Sequence, residues 1–457
     1  MYDYIVIGAG PCGLTLAHYL SKHNKKILLL DMNEDIGGCH RVKRVNGRIT
    51  EHGPRVYIDN YLTLKNVLKD MNTDWTDIFT PYQFSMNDTM KELFEIMTLK
   101  EIYVFAKQFI KSYSPSFIDK TYTMKQFSDT NNLSIQLQIF IDKLCRTVDG
   151  ASIETMTIYE FFSIFNQNFL YNIYQPKLPN DKGLFKIWKE HFNKNITFIG
   201  NSKVVSIEKK GILLENGKKL YSKNLLITLP PVSMLNLVTN SFDKNILGNY
   251  DDLKEFVNVS KYLTYIPITY HWNNKIDLPN INHYNTDWDI VFVVLSNYME
   301  LFYDKSKTII SVSIKNVNSM SKHINKTPNN CTKEELIDET FRQLKLIYPY
   351  LQKYDEAILD PNVYRNNNEW INSDDAFINT GKTWKYQTKY PNVHWIGTHN
   401  GNSTHSYTSM ESAMSSAVYW LNKECDLNIV SDKMTTFWDI FTYILLFFII
   451  ICILCIT

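Results

Sequence analysis

Glycine is scarce in this chain and unevenly placed: of 16 in 457 residues, seven (Gly8, Gly10, Gly13, Gly37, Gly38, Gly47 and Gly53) fall within the first 53. Even spreading would put about two there. Glycine is selected where φ must be positive or where a backbone must lie close to another group, so the cluster points to a site built from main chain. Its first three members have the spacing GxGxxG, as GAGPCG. That spacing alone is a weak signal, and its context decides. Tyr4 to Ile7 is a short β-forming run, and Leu14, Ala17 and Leu20 follow at helical spacing. A second apolar run, Ile27 to Leu30, ends in Asp31, eighteen residues after Gly13. The unit reads as βαβ. Gly8 permits the turn, Gly10 lets the chain approach a pyrophosphate, Gly13 lets helix and strand pack, and Asp31 is placed to accept both ribose hydroxyls of an adenosine. The helix N-terminus adds unpaired N–H groups and a positive dipole end for phosphates. A glycine-rich turn without a ligand would leave Asp31 unexplained.

The rest of the composition sets bounds. With 44% apolar and 21% charged residues the chain should fold as a globular body of about three units, with two interleaved ones equally allowed. Lys plus Arg (48) nearly cancels Asp plus Glu (47), so no nucleic-acid face is implied and a small-molecule partner is expected. The seven cysteines are scattered without zinc-finger spacing, which suits a reducing compartment. MYDYIVIGAG has no basic n-region and runs straight into a strand, so cytosolic synthesis is expected. The sequons are what so Asn-rich a chain produces by chance.

After Asp31 the chain reads MNEDIGGCHRV and then NGRITEHGPRVY, and a plain nicotinamide dehydrogenase has no need for the second glycine pair. Here the sequence resembles the amine oxidase and phytoene desaturase superfamily of FAD enzymes. The resemblance implies that Gly37 and Gly38 form that family's GG pair, that Asp31 is its ribose-binding acid, and that Gly53 lies beside the isoalloxazine. The family usually places Arg directly after the GG pair, whereas Cys39 and His40 precede Arg41 here. Arg41 is the candidate phosphate contact, and a solvated loop is an equal reading of Arg41, Lys43 and Arg44.

Two distant segments extend the likeness. Asn201 to Ile227 alternates around the turn Asn216-Gly217, then gives a buried strand and Pro230-Pro231. The resemblance assigns Val204 a backbone contact to the adenine. In Asn392 to Asn422 a strand leads to Gly397, a polar loop and a helix whose start is marked by the TxxE pattern of Thr408 and Glu411. That helix is implied to aim its N-terminus at the flavin, with Met410 the backbone contact. Thr398 stands after Gly397, where the family carries an acid.

The expected fold is therefore α/β. A Rossmann-like FAD-binding domain (1–60, 190–245 and 376–425) is interleaved with an α+β substrate domain (61–189 and 246–375), followed by a linker (426–436) and a C-terminal transmembrane helix (437–457). Residues 60–190 read as mostly helical, whereas 250–375 alternate strand-like runs with a helix at Lys333 to Ile347. The tail FWDIFTYILLFFIIICILCIT is apolar on all faces, so a membrane tail anchor with a cytosolic body is expected. No catalytic residue is fixed. Rough alignment puts Pro267 where many amine oxidases carry a lysine that holds a water at the flavin. His52, Arg55, Tyr57, His399, His405 and Tyr407 are polar groups able to face substrate. The resemblance implies hydride transfer from an amine or hydrophobic C–H substrate. A redox-neutral isomerase of the UDP-galactopyranose mutase kind and a catalytically silent scaffold are the alternatives.

Overall fold

The βαβ unit forms as the glycine spacing requires. In a computed structural model, β1 (Tyr2–Ile7) leads into helix α1 (Pro11–Lys22) and then β2 (Ile27–Leu30). The structure describes residues 1–456 apart from 83–85, 115–118, 149, 210, 263–264, 280, 282–285, 300–305, 374–376, 379–381 and 431; at 86–90, 261, 377–378 and 454–456 it describes backbone only. The expected boundary at 375/376 and the terminal Thr457 lie outside the described residues.

Helices α2 (Leu62–Asp70), α3 (Met86–Ile96), α4 (Leu99–Ser112), α5 (Ile135–Val148) and α6 (Ile158–Asn168) follow in chain order. Next come strands β3 (Ile196–Ile199) and β4 (Ser222–Ile227), then β5 (Ile266–Trp272), β6 (Ile290–Val294), β7 (Thr308–Ile314) and β8 (Glu356–Leu359). The chain closes with β9 (Val393–Trp395), α7 (Met410–Cys425) and α8 (Phe437–Ile456).

Two sheets organise these elements. The first is parallel throughout, in the order β9-β4-β1-β2-β3, so strands remote in sequence sit side by side. Both faces are covered, which is why its strands are continuous apolar runs. Val6, Leu29 and Leu226 pack on one face against α1 and α7 through Leu14, Ala17, Met414 and Leu421. Ile5, Ile7 and Leu28 pack on the other against helices Pro231–Thr239 and Tyr250–Val259.

The second sheet is antiparallel, in the order β6-β7-β5-β8. Alternation along β7 divides its faces. Ile310, Val312 and Ile314 join the core under helix Lys333–Ile347. Ser311 and Ser313 take the other face, and there a Cβ built on Gly53 would come 2.6 Å from the Ser313 hydroxyl. The loop at Gly53 therefore presses directly on the second sheet. His271 and Thr269 strengthen this seam, meeting the Ile49 carbonyl at 2.9 Å and the Thr50 hydroxyl at 3.1 Å. Helices α3 to α6 build a separate core around Phe105, Leu137, Ile141 and Phe161.

One expectation is corrected. Among the described residues, no helix is long and apolar enough to cross a membrane. Helix α8 carries the acidic Asp439 in its first turn. Its first turn is also committed to the body. Trp438 is buried and stacks on Phe109 of α4 at 4.7 Å, and its main-chain N–H donates to Asn166 of α6. The tail anchor, and the membrane localisation drawn from it, are not supported.

Candidate functional site

A cavity of about 1260 Å³ runs between the two sheets. One end is made of main chain. Gly8 has φ +104°, and a Cβ there would meet the Thr228 hydroxyl at 2.6 Å. A Cβ at Gly13 would lie 1.9 Å from the Gly8 carbonyl, so Gly13 serves the packing of α1 on its own loop. Gly10, by contrast, has an ordinary φ of −75°, caps α1, and faces the cavity with only Gly38 near it. The GG pair closes over this loop: the Gly37 N–H donates to the Ala9 carbonyl at 2.8 Å, and a Cβ on Gly38 would sit 3.0 Å from Gly10. Gly37 itself is turned onto Phe185.

Asp31 is buried at the end of β2. Its Oδ2 accepts the Ala9 N–H at 2.8 Å, and its Oδ1 accepts both the main-chain and side-chain N–H of Asn33 at 2.9 Å. The Arg41 guanidinium lies 3.7 Å from Oδ1. A carboxylate has about four acceptor positions, so Oδ2 keeps room for one further donor. One ribose hydroxyl fits there more readily than two.

The cavity lining includes eight of the eleven residues singled out in the sequence: Gly8, Gly10, Asp31, Gly38, Arg41, Val204, Gly397 and Met410. Gly13, Gly37 and Gly53 stand behind the surface and shape it. Met410 opens α7, but the cap differs from the one expected. Ser409 is the N-cap, its hydroxyl accepting the Ser412 N–H at 3.0 Å. Glu411 reaches across to another helix, accepting the N–H groups of Thr63 and Leu64 at 2.7 and 3.1 Å where α2 begins. Burial pushes its carboxyl up to about 7. The TxxE pattern is real in sequence, but a nearer serine outcompetes Thr408, and the acid is used to tie two helix starts together.

The other end of the cavity is made of side chains. Ile139, Phe140 and Leu144 from one face of α5 and Ile290 and Phe292 from β6 give it apolar walls, and Glu92 and Glu95 of α3 stand towards solvent. Pro267, expected at the family's lysine position, does not line the cavity; it is buried in β5 opposite Ser313. A lysine comes from the neighbouring strand. Lys315 directly follows β7, is buried, and lines the cavity; its Nζ donates to the Thr147 hydroxyl at 2.6 Å and lies 3.5 Å from the Asp289 carboxylate. Ile290 pairs with Ile314, so continuing that register by one residue sets Asp289 opposite Lys315. Burial lowers the Lys315 ammonium below its ordinary value, Asp289 acts against that, and Arg146 and Lys143 add to it. Sequence reasoning missed Lys315, and its one signal is a lysine continuing the polar alternation Ser311, Ser313.

Of the polar candidates, His52, Arg55, His399 and Tyr407 line the cavity, whereas Tyr57 and His405 do not. His399 stacks on Trp395 at 3.9 Å, and burial lowers its imidazole to about 3, so it is a neutral structural ring at ordinary pH. The Tyr57 hydroxyl accepts from Asn180 inside the core.

Comparison with known proteins agrees with this geometry. Residues 6–71 match the NAD(P)-binding Rossmann-like domain family. A UDP-galactopyranose mutase from Mycoplasma pneumoniae is 26% identical over 154 residues, 30% of this chain. That match spans 36% of the mutase's length. An oxidoreductase structure from Methanosarcina mazei superposes with a TM-score of 0.65 at 14% identity, covering 92% of this chain and 99% of that one. A putrescine oxidase bound to putrescine gives 0.61 at 10% identity, covering 91% and 97%. The chain thus has a Rossmann-like domain at residues 6–71 and shares its overall fold with these oxidoreductase and putrescine oxidase structures. At these identities the likeness to solved structures is one of fold.

Proposed function

We propose that this chain binds FAD in the cavity and oxidises a small molecule, taking hydride from an amine or from another C–H centre in an apolar substrate. The observation that carries the reading is the continuity of the cavity, from Asp31 and the glycine loops at one end to Lys315 at the other. The residues fit the group: Gly10 and Gly38 leave main chain bare where a diphosphate must approach, and Asp31 keeps an acceptor for ribose. Bound FAD would supply the hydride acceptor.

The chain's own residues supply the rest. The N-terminus of α1 offers unpaired N–H groups to phosphate, and that of α7 offers them to negative charge developing on a reduced ring. Apolar walls from α5 and β6 exclude water and orient the substrate. An ammonium has three N–H donors, and Thr147 and Asp289 engage two, so Lys315 holds one to present a water or a substrate atom. Glu92 and Glu95 suit a cationic amine approaching from solvent better than an anionic one.

Anaerobic mixing of the FAD-loaded protein with a panel of amines tests this. Bleaching of the flavin by at least one amine is expected, and a protein that takes up no FAD would end the reading. The mutase relative favours a second reading, a redox-neutral isomerisation of a nucleotide sugar. Turnover of UDP-galactopyranose without net redox change, and no bleaching by amines, would decide for it.

A further inference from the structure

Five arginines and lysines surround the GG turn, and four of them have acidic partners. Arg41 lies 3.7 Å from Asp31, Lys43 2.7 Å from Asp360, Arg44 2.9 Å from Asp181 and Arg48 2.7 Å from Glu356. The fifth, Arg55, has no ion pair among the described residues. Its Nη2 donates to the Cys39 carbonyl at 2.7 Å and to the Arg41 carbonyl at 3.4 Å, and its Nε is buried without a partner. Arg55 is half-buried, and a guanidinium partly withdrawn from water gains from an anionic partner.

Within the protein the buried Glu51 carboxyl, which burial pushes up and Arg55 draws down, interacts with the guanidinium without forming an ion pair. Arg55 also lines the cavity, so an anion bound there can reach it. Its direction is set by its anchors. Cys39 and Arg41 belong to the turn whose first residue, Gly38, packs on Gly10 at the start of α1. No acidic residue occupies the first turn of α1. The guanidinium is thus fastened to the nucleotide end of the cavity.

We infer that Arg55 is the cationic residue that neutralises the diphosphate of the bound dinucleotide, in place of Arg41, which is drawn to Asp31 at the ribose end. This rests on the reading of the cavity as an FAD site. The chain thereby makes up for Cys39 standing where the resembled family carries arginine: the charge arrives from fourteen residues beyond Arg41 and reaches back over the same turn.

The test is equilibrium binding to flavin-free full-length protein, with FAD followed by flavin fluorescence and with ADP and adenosine as competitors. Arg55→Gln is expected to weaken FAD and ADP by at least tenfold, to leave adenosine within twofold, and to flatten the salt dependence of FAD binding. Arg41→Gln is expected to weaken adenosine and ADP alike. Arg55→Lys serves if the glutamine variant does not fold; a smaller loss confined to FAD and ADP is expected. Unchanged FAD and ADP affinity in a folded Arg55 variant would overturn the inference. So would equal losses on ADP and adenosine, or an effect confined to the KM of a carboxylate-bearing substrate. Wild-type protein that binds neither FAD nor ADP would bring down the FAD reading itself, a distinct outcome.

Discussion

The two ends of the cavity are built by different means. At the glycine-loop end the working surface is main chain, set by glycines of which Gly13 and Gly38 would bring a Cβ onto other main-chain atoms. At the other end it is side chains, brought together from α3, α5, β6 and the end of β7. Backbone geometry needs particular residues at fixed short spacing, whereas a side-chain wall can be assembled from many residues at any separation. The first end is therefore tied to particular residues at fixed positions, whereas the second is assembled from residues far apart in the chain.

The sharpest way to break this contrast lies within the GxGxxG loop itself. Gly13→Ala puts a Cβ 1.9 Å from a carbonyl oxygen that cannot move without unseating the loop, so loss of the folded protein, or destabilisation of about 3 kcal/mol, is expected. Gly10→Ala meets nothing closer than 3.7 Å and has a φ alanine accepts. That variant should melt within about 0.5 kcal/mol of wild type while losing dinucleotide affinity. Chemical denaturation and FAD titration of the pair check both halves. Equal stabilities would show that the loop is less rigid than its contacts imply.

At the opposite end, Lys315→Met should slow flavin reduction by amine roughly 100-fold, in line with loss of a positioned proton-holding group, and leave FAD affinity unchanged. Stopped-flow reduction and fluorescence titration measure the two quantities. A matching loss of FAD affinity would mean that the two ends are not separable.

The same contrast explains what can be read in advance. The βαβ unit, Asp31 and the GG pair are legible because each is a local pattern with one physical purpose. Strands Ile27–Leu30 and Thr308–Ile314 and helix Lys333–Ile347 are likewise legible, since continuous apolar runs, alternation and a TxxE start each leave a local trace. Lys315 is not. Its partners Asp289 and Thr147 lie 26 and 168 residues away, and only the register of β6 on β7 brings the first of them opposite. Alignment by strand leads instead to Pro267, one strand over. Arg55 is visible in the sequence as a polar group, but its lack of an acidic partner emerges only once its four basic neighbours are seen paired. In the tail, hydropathy registers an apolar run and cannot register that Trp438 is spent on α4.

Glu411 lies in the first turn of α7 and accepts the N–H groups at the start of α2, and it predicts a pH effect. Its folded value, about 7, lies above its ordinary value of 4.5, so the folded protein holds the extra proton between them. The contribution is complete below about 4.5 and is lost as pH rises through about 7. Glu411→Gln should therefore flatten the fall in unfolding free energy across that window, by no more than a few kcal/mol. Parallel pH profiles of the two proteins would argue that the carboxyl is ionised throughout.

The smallest effect concerns the true cap of α7. Ser409→Ala removes the hydroxyl that accepts the Ser412 N–H and should cost about 1 kcal/mol. Its local signature separates it from Glu411. Hydrogen exchange in Ser409→Ala should quicken at the amides of 411–413, at the start of α7, whereas Glu411→Gln should quicken Thr63 and Leu64 at the start of α2. If Glu411→Gln instead exposed the first turn of α7, the sequence pattern would have named the cap correctly and the cross-helix tie would be secondary. Because that first turn is where the reading places a developing negative charge, fraying it should also make bound flavin harder to reduce, and a lower midpoint potential in Ser409→Ala is the expected companion of the faster exchange.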